Sequence, residues 1–344
     1  MLWNRSMSIL YDGSKYADQI ETDLYNNILG CVNFDGNRFY YENRTCTSYA
    51  FQRSEWFGTA CCPPNFTRTI LQVGGYIYNT SNTDIYVNQY ISNKANFEVG
   101  DNKVEVDMTS GFPYDSTGSI TIKPTTAGTF DVQLRKPAWT DGYTIKVGGQ
   151  TYTPQEKDGY LVIKENWPTA GTTIEFNFNM PLKYERADER VVDDIGYVAL
   201  RHGPILYCAE GIDNDANFNY YQSKVNIGGN YNFELVNSLD GKKDDYGVRK
   251  GYVLNHEGTE TIGSQSTDIM WRLIPYYSRT NRDGAGSMHV FIHDGSQAVK
   301  THQKAVPSAS FTCQYDDVRC LNDGINEDAA RWTSYKDGDV LQSP

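Results

Sequence analysis

The chain has 344 residues and a net charge of −12, from 31 Lys and Arg against 43 Asp and Glu, with a pI of about 4.9. An acidic field of that size repels phosphate backbones and excludes a general nucleic-acid-binding role. With 39% hydrophobic and 22% charged residues the composition is globular, and no run of about 18 apolar residues is present to cross a membrane as a helix.

Tyr (26) outnumbers Phe (14), and Gly numbers 30, at a mean hydropathy of −0.58. That combination fits β-rich domains with polar loops and aromatic-lined sugar sites. The length suggests two or three domains at ~100–200 residues each. Met1 to Arg5 carries no charged n-region, apolar run or small-residue cleavage site, so it does not read as a signal peptide. The compartment is left open.

The first 82 residues read as helical. Ala17, Ile20, Leu24 and Ile28 follow i, i+3, i+7, i+11, one face of a helix, with Gly30 at the stop position. The turn signal Asp35-Gly36 leads into an extended piece, Arg38-Phe39-Tyr40-Tyr41. Phe66, Ile70, Val73 and Ile77 repeat at helical spacing, which predicts a second helix ending near Asn79.

From about residue 83 the period drops to two. Ile85 and Val87, Val104 and Val106, Ile120 and Ile122, Phe130 to Leu134, Tyr143 to Val147, Leu161 and Ile163, and Ile174 to Met180 alternate with polar residues. Gly148-Gly149 marks a hairpin. Strands at this spacing with Gly and Pro between them predict a β-sandwich over 83–182. A second sandwich is expected over 183–302, with surface loops at Asp213 to Asn232 and Asp240 to Asp245. Residues 303–344 read as the opening of a further unit, cut short.

Seven cysteines, an odd number sparsely spaced, do not make a disulfide scaffold. Cys313 and Cys320 could pair or stay as thiols. The informative pair is Cys61-Cys62, followed by Pro63-Pro64-Asn65. Proline is tolerated at the first helical position, so both thiols sit at a helix N-terminus, where the dipole favours thiolate. Two adjacent thiolates repel unless a cation joins them, and a soft divalent metal, most simply Zn²⁺, does so. Two ligands are half of a zinc shell. The alternative is two small residues packed under a loop.

Glycoside hydrolysis also needs carboxylates. Glu21 and Asp23 lie on the first helix and Glu42 and Glu55 in loops. Glu21, beside Ile20, falls at the edge of the apolar stripe, as either a partly buried functional group or a solvated helix-face residue. Tyr41 reads as packing or a sugar contact.

Trp56-Phe57-Gly58-Thr59-Ala60-Cys61-Cys62-Pro63-Pro64-Asn65 resembles the signature of glycoside hydrolase family 127, the β-L-arabinofuranosidases, related to family 146. Tyr16-Ala17-Asp18, Leu24-Tyr25-Asn26, Leu134-Arg135-Lys136-Pro137-Ala138-Trp139, Gly196 to Pro204 and Leu273-Ile274-Pro275-Tyr276-Tyr277 resemble the family in the same order, over roughly residues 1–300. The resemblance implies a mixed α and β fold, the remnant of an (α/α)6 barrel (1–82) followed by two β-sandwich domains, with a jelly-roll-like stub at 303–344. It implies a retaining, zinc-dependent mechanism on plant-derived arabinose-containing glycans. Cys61 matches the nucleophile and a zinc ligand, Cys62 a second zinc ligand, and Glu21 and Tyr41 residues in or near the sugar pocket.

The family's remaining zinc ligands, a Glu-x-Cys, and its acid/base Glu have no counterpart here, since no Glu-x-Cys occurs in the chain. The expectation is an incomplete zinc site, little activity of the chain alone, and a Met1 that corresponds to an internal position of a longer protein. Two other readings are weighed. In one, the sandwiches form a non-catalytic carbohydrate-binding module with exposed Tyr and Trp. In the other, a structural zinc pins the helix.

Overall fold

A computed structural model of the protein describes residues 1–11, 13–47, 51–191, 194–214, 223–225, 227, 233–236, 252–262, 265–282, 286–295, 308–309 and 341–342. Cys313, Cys320 and most of the expected C-terminal stub lie outside the described residues; of the stub, Ser308–Ala309 pairs antiparallel with Leu341–Gln342. The chain forms two compact units. The first comprises Met1–Cys31, Trp56–Leu182 and His202–Ile205, and the second Val32–Glu55, Lys183–Arg201 and the residues from Leu206 onward.

Three α-helices occur in the first unit: α1 (Leu2–Leu10), α2 (Lys15–Asp23) and α3 (Cys62–Leu71). The first predicted periodicity is α2, whose Ala17 and Ile20 are buried. It runs on through a π-turn at Leu24–Ile28 and a 3₁₀ turn at Leu29–Cys31. The second predicted helix is shorter than its pattern. It ends at Leu71, Val73–Tyr76 is 3₁₀, and Tyr78–Thr80 is already strand. Gly74-Gly75 breaks it, because paired glycines cost a helix interior backbone entropy.

Two sheets enclose the core of the first unit. The five-stranded sheet takes the order Gln155–Lys157, Tyr160–Trp167, Gly128–Arg135, Asp84–Val87, Tyr78–Thr80. The six-stranded sheet runs Asn93–Val99, Asn102–Ser110, Thr117–Pro124, Thr172–Phe178, Tyr143–Val147, Gln150–Tyr152. Their inward residues, among them Val106, Ile122, Val132, Leu134, Ile163, Trp167, Ile174 and Phe178, form one buried cluster. Gly148 and Gly149 both have positive φ (57° and 80°) between the paired Val147 and Gln150, which makes the two-residue hairpin turn that only such residues reach without strain. The sequence reading passed over the edge strand Asn93–Val99, whose inward Ala95 and Phe97 are only partly buried.

The second unit holds one ten-stranded sheet. Its path runs from Cys46–Thr47 through Met288–His289, Ile205–Glu210, Gln265–Pro275, Tyr252–Ile262, Ser223–Val225, Phe291–Asp294 and Tyr197–His202 to Leu182–Glu185, with Phe233–Val236 beside Tyr252–Ile262. The pairing of Tyr197–His202 with Ile205–Glu210 closes that path on itself. The expected surface loop from Asp213 begins buried instead. Asp213 is bound by Arg282, which also takes Glu210 at 2.8 Å, and Asn214 Nδ2 donates to the carbonyl oxygens of Glu210 and Arg272. Of the aromatics that the binding-module reading would expose, Trp139, Trp167 and Trp271 are buried, while Tyr143 and Tyr152 are partly exposed.

Arg135 joins α2 to the sandwich. It is fully buried at the end of Gly128–Arg135. Its guanidinium meets Asp18 at 2.6 Å and Glu21 at 2.5 Å. Trp139 Nε1 donates to the second Glu21 oxygen at 2.8 Å, and the Ala138 N–H donates to Asp18 at 3.1 Å. Removing one partner of such a pair leaves an uncompensated buried charge, worth about 3–5 kcal/mol. Arg135→Met and Glu21→Gln should each destabilise the chain by that order, and the double variant by less than the sum. Denaturant midpoints of the three variants test this, and strict additivity would sink it.

In the second unit Cys46 and His289 face each other across paired strands, Sγ lying 3.1 Å from Nδ1. Burial pushes the imidazole pKa down from 6.5 to about 3. Between those values the unfolded chain binds a proton at His289 that the folded chain does not. Stability from this residue is therefore full above pH 6.5 and falls on acidification towards pH 3. His289→Gln should flatten the loss between neutrality and about pH 5, read as urea midpoints; an unchanged acid loss in the variant counts against it.

Candidate functional site

The helix α3 begins where the sequence places it. Cys61 is the N-cap residue, Cys62 opens the first turn, and Pro63 and Pro64 follow. Both prolines carry the φ that a first turn needs and lack an N–H that would have no partner there. Cys61 is exposed and Cys62 half-buried, while Pro63 and Thr69 turn inward.

The two sulfurs lie 3.7 Å apart, well beyond a disulfide bond of about 2.05 Å. Two thiolates at about 2.3 Å from one tetrahedral zinc would stand about 3.8 Å apart. The observed separation therefore fits two soft donors directed at one metal ion. Among the described residues no group of three or more His, Cys, Asp or Glu gathers into a metal site, so a metal held here would take only these two ligands from them.

Asn65, the last residue of the motif, holds this turn together. Its Nδ2 donates to the Cys61 carbonyl at 2.8 Å, and its Oδ1 accepts from Arg68 at 2.6 Å. Thr69 Oγ1 donates to the Asn65 carbonyl at 2.8 Å. The side chain that fixes Cys61 is thus four residues away on the same helix, a spacing the sequence displays but whose role only the geometry reveals.

Glu21 is 2% exposed and both carboxylate oxygens are engaged by Arg135 and Trp139. The structure therefore places it in the anchor between α2 and the sandwich. The signal lay in the Leu134-to-Trp139 stretch, more than a hundred residues downstream. Tyr41 belongs to the second unit and is 40% exposed. The loop carboxylates Glu42 and Glu55 pair on the surface with Arg44 at 2.8 Å and Arg38 at 3.0 Å, and Asp23 accepts from Gln19 at 2.8 Å. No carboxylate joins Cys61 and Cys62 among the described residues.

Three domain families match in chain order. Residues 1–75 match the "Beta-L-arabinofuranosidase, GH127 catalytic domain", 84–180 the "Beta-L-arabinofuranosidase, GH127 middle domain", and 182–293 the "Glycoside hydrolase family 127 C-terminal domain". A "Non-reducing end beta-L-arabinofuranosidase" of Bifidobacterium longum is 31% identical over 84% of this chain and 47% of its own. The crystal structure of a GH127 β-L-arabinofuranosidase from Geobacillus stearothermophilus is similar with a TM-score of 0.74 at 28% identity, over 85% of this chain and 48% of that one. A second solved GH127 β-arabinofuranosidase gives the same TM-score at 30% identity, with the same coverage. The chain thus spans about half the length of the relatives it matches. With the catalytic, middle and C-terminal domain models of family 127 all matched in chain order, the chain belongs to glycoside hydrolase family 127.

Proposed function

We propose that Cys61 is the nucleophile of a retaining β-L-arabinofuranosidase that acts on plant-derived arabinose-containing glycans, and that Cys61 and Cys62 together hold a zinc ion. The observation that carries this reading is the 3.7 Å separation of two thiols at the start of α3. The relatives' names support the β-L-arabinofuranosidase part of this reading.

A sulfur nucleophile must be a thiolate to attack, and it must also leave again. The N-terminus of α3 contributes positive potential at Cys61. When bound, zinc supplies a charge that keeps both thiols deprotonated at neutral pH and draws electron density from sulfur. Cys61 Sγ then forms a bond to the anomeric carbon as the bond from that carbon to the leaving oxygen breaks. The leaving oxygen takes a proton from a general acid, and water later displaces the sulfur. Asn65 keeps Cys61 at its place in the turn. Exposed Tyr41 and Glu21, whose carboxylate is held by Arg135 and Trp139, are the residues that the family resemblance assigns to the sugar pocket or its surroundings.

Half a ligand shell binds metal weakly, and the acid is not among the groups gathered at Cys61. Two measurements follow. Co²⁺ titration should give a thiolate charge-transfer band that disappears in both Cys61→Ala and Cys62→Ala; a band that survives either change would refute shared ligation. Hydrolysis of a β-L-arabinofuranoside by this chain should be at least about 100-fold slower than by a relative of full length, since a positioned acid alone contributes 10²–10⁴-fold. Comparable turnover would show that the residues described here suffice.

A further inference from the structure

The six-stranded sheet of the first unit turns one face to the core and the other to solvent, and the solvent face is indented by a cleft of about 490 Å³. That volume lies within the ordinary range of small-ligand sites, about 300–1,000 Å³. The strands fix its lining by register. One row across the sheet is Thr109, Ser119, Glu175 and Lys146, each opposite the next on the neighbouring strand. The adjoining row is Thr117, Asn177 and Thr144. Side chains opposite one another in antiparallel strands share a face, at strand spacings of about 4.8 Å.

What sets these rows apart is their unused hydrogen-bonding capacity. The hydroxyls of Thr109, Ser119, Thr117 and Thr144 make no hydrogen bond to any described residue. Asn177 spends only its carbonyl oxygen, accepting from Ser116 at 2.8 Å. On the neighbouring part of the same face the side chains satisfy one another instead: Thr121 and Thr173 are bonded at 3.0 Å, and Lys94 meets Asp107 at 2.7 Å. The two charges in the cleft oppose each other, Lys146 lying 3.9 Å from Glu175.

We infer that this cleft on the middle domain is a secondary binding site for an uncharged polyhydroxylated ligand, an oligosaccharide segment that, resting on the function proposed above, is built of pentoses. A row of hydroxyls and an amide both donates and accepts, as do the hydroxyls of a sugar. An anionic ligand meets one Lys already balanced by Glu175, in a protein of net charge −12. An apolar ligand finds no exposed apolar side chain in either row. The site stands on the sheet and needs nothing from the cysteine pair. Binding without an aromatic platform is weak and serves to hold a chain near the protein, not to position a bond for cleavage.

The test is titration of the ¹⁵N-labelled full chain with a neutral arabino-oligosaccharide, with glycerol in parallel, following the amides of Thr117, Ser119 and Asn177. The expected result is a saturable shift of these amides with the oligosaccharide only. Affinity should fall at least about tenfold in the Thr144→Ala/Asn177→Ala variant, the loss of two hydrogen bonds, and persist unchanged in Cys61→Ser. Ser119→Leu, which fills the cleft on an exposed face, should abolish the shift. The inference is overturned by the absence of any shift, by equal shifts with glycerol, or by shifts that survive Ser119→Leu. A change on Cys61→Ser would likewise move the binding elsewhere.

Discussion

A guanidinium with no contact to water is the constraint around which the first unit is arranged. Arg135 sits at the end of a central strand, wholly buried, and the cost of desolvating it is offset only if carboxylates reach it with good geometry. Asp18 and Glu21 do so from one face of α2, three residues apart. The backbone beyond the strand then turns so that Ala138 N–H and Trp139 Nε1 complete the carboxylates' hydrogen bonds. Tyr90 closes the other side, its hydroxyl on the Arg135 carbonyl, and Arg135 Nε donates to the Asn88 carbonyl at 2.6 Å. The helix is thereby pinned in rotation and in depth by charge pairing rather than by its apolar stripe alone.

The same logic recurs in the second unit. Arg53, buried, donates to the Arg279 carbonyl at 2.8 Å and lies over the Tyr40 ring at 4.4 Å. Arg279 lies over Tyr276 at 4.0 Å and donates to Asn43 at 2.6 Å. Tyr276 reaches the Arg44 carbonyl at 2.6 Å. The segment Val32–Glu55 is thus held to residues more than two hundred positions downstream. Two stretches that resemble family 127 in the β-rich part, Leu134 to Trp139 and Leu273 to Tyr277, carry these arginine and tyrosine anchors. Their pattern marks how the first 55 residues are fastened to the sheets.

This explains what could be read in advance. The sandwich strands were legible because alternation follows from one buried face, and Val104, Ile120, Val132 and Ile174 show it plainly. The edge strand at Asn93 alternates too, with Ala95, Phe97 and Val99 inward against Lys94, Asn96 and Glu98, but Asn93 and Ala95 make its first half only weakly apolar. The helix α2 was legible from its stripe, but Glu21 was not, since nothing local distinguishes a carboxylate aimed at solvent from one aimed at an arginine 114 positions away. The assembly of the second unit from discontinuous segments has no periodic signature at all. Asp213, in a polar stretch, read as loop; only the long-range partner Arg282 makes it core.

The cysteine turn was legible because it is local, and its composition carries a further consequence. A helix offers its first N–H groups as donors to a nearby anion. Pro63 and Pro64 remove two of them, and the Asn65 side chain is spent on the Cys61 carbonyl. The dipole of α3 still favours thiolate, but the hydrogen bonds that normally accompany it are reduced. Two adjacent thiolates 3.7 Å apart repel by about 1 kcal/mol even at the dielectric of water and by several times that when partly desolvated. A cation between two such thiolates would offset that repulsion most directly. The proline pair that starts the helix therefore removes N–H donors from the same turn that holds the two sulfurs.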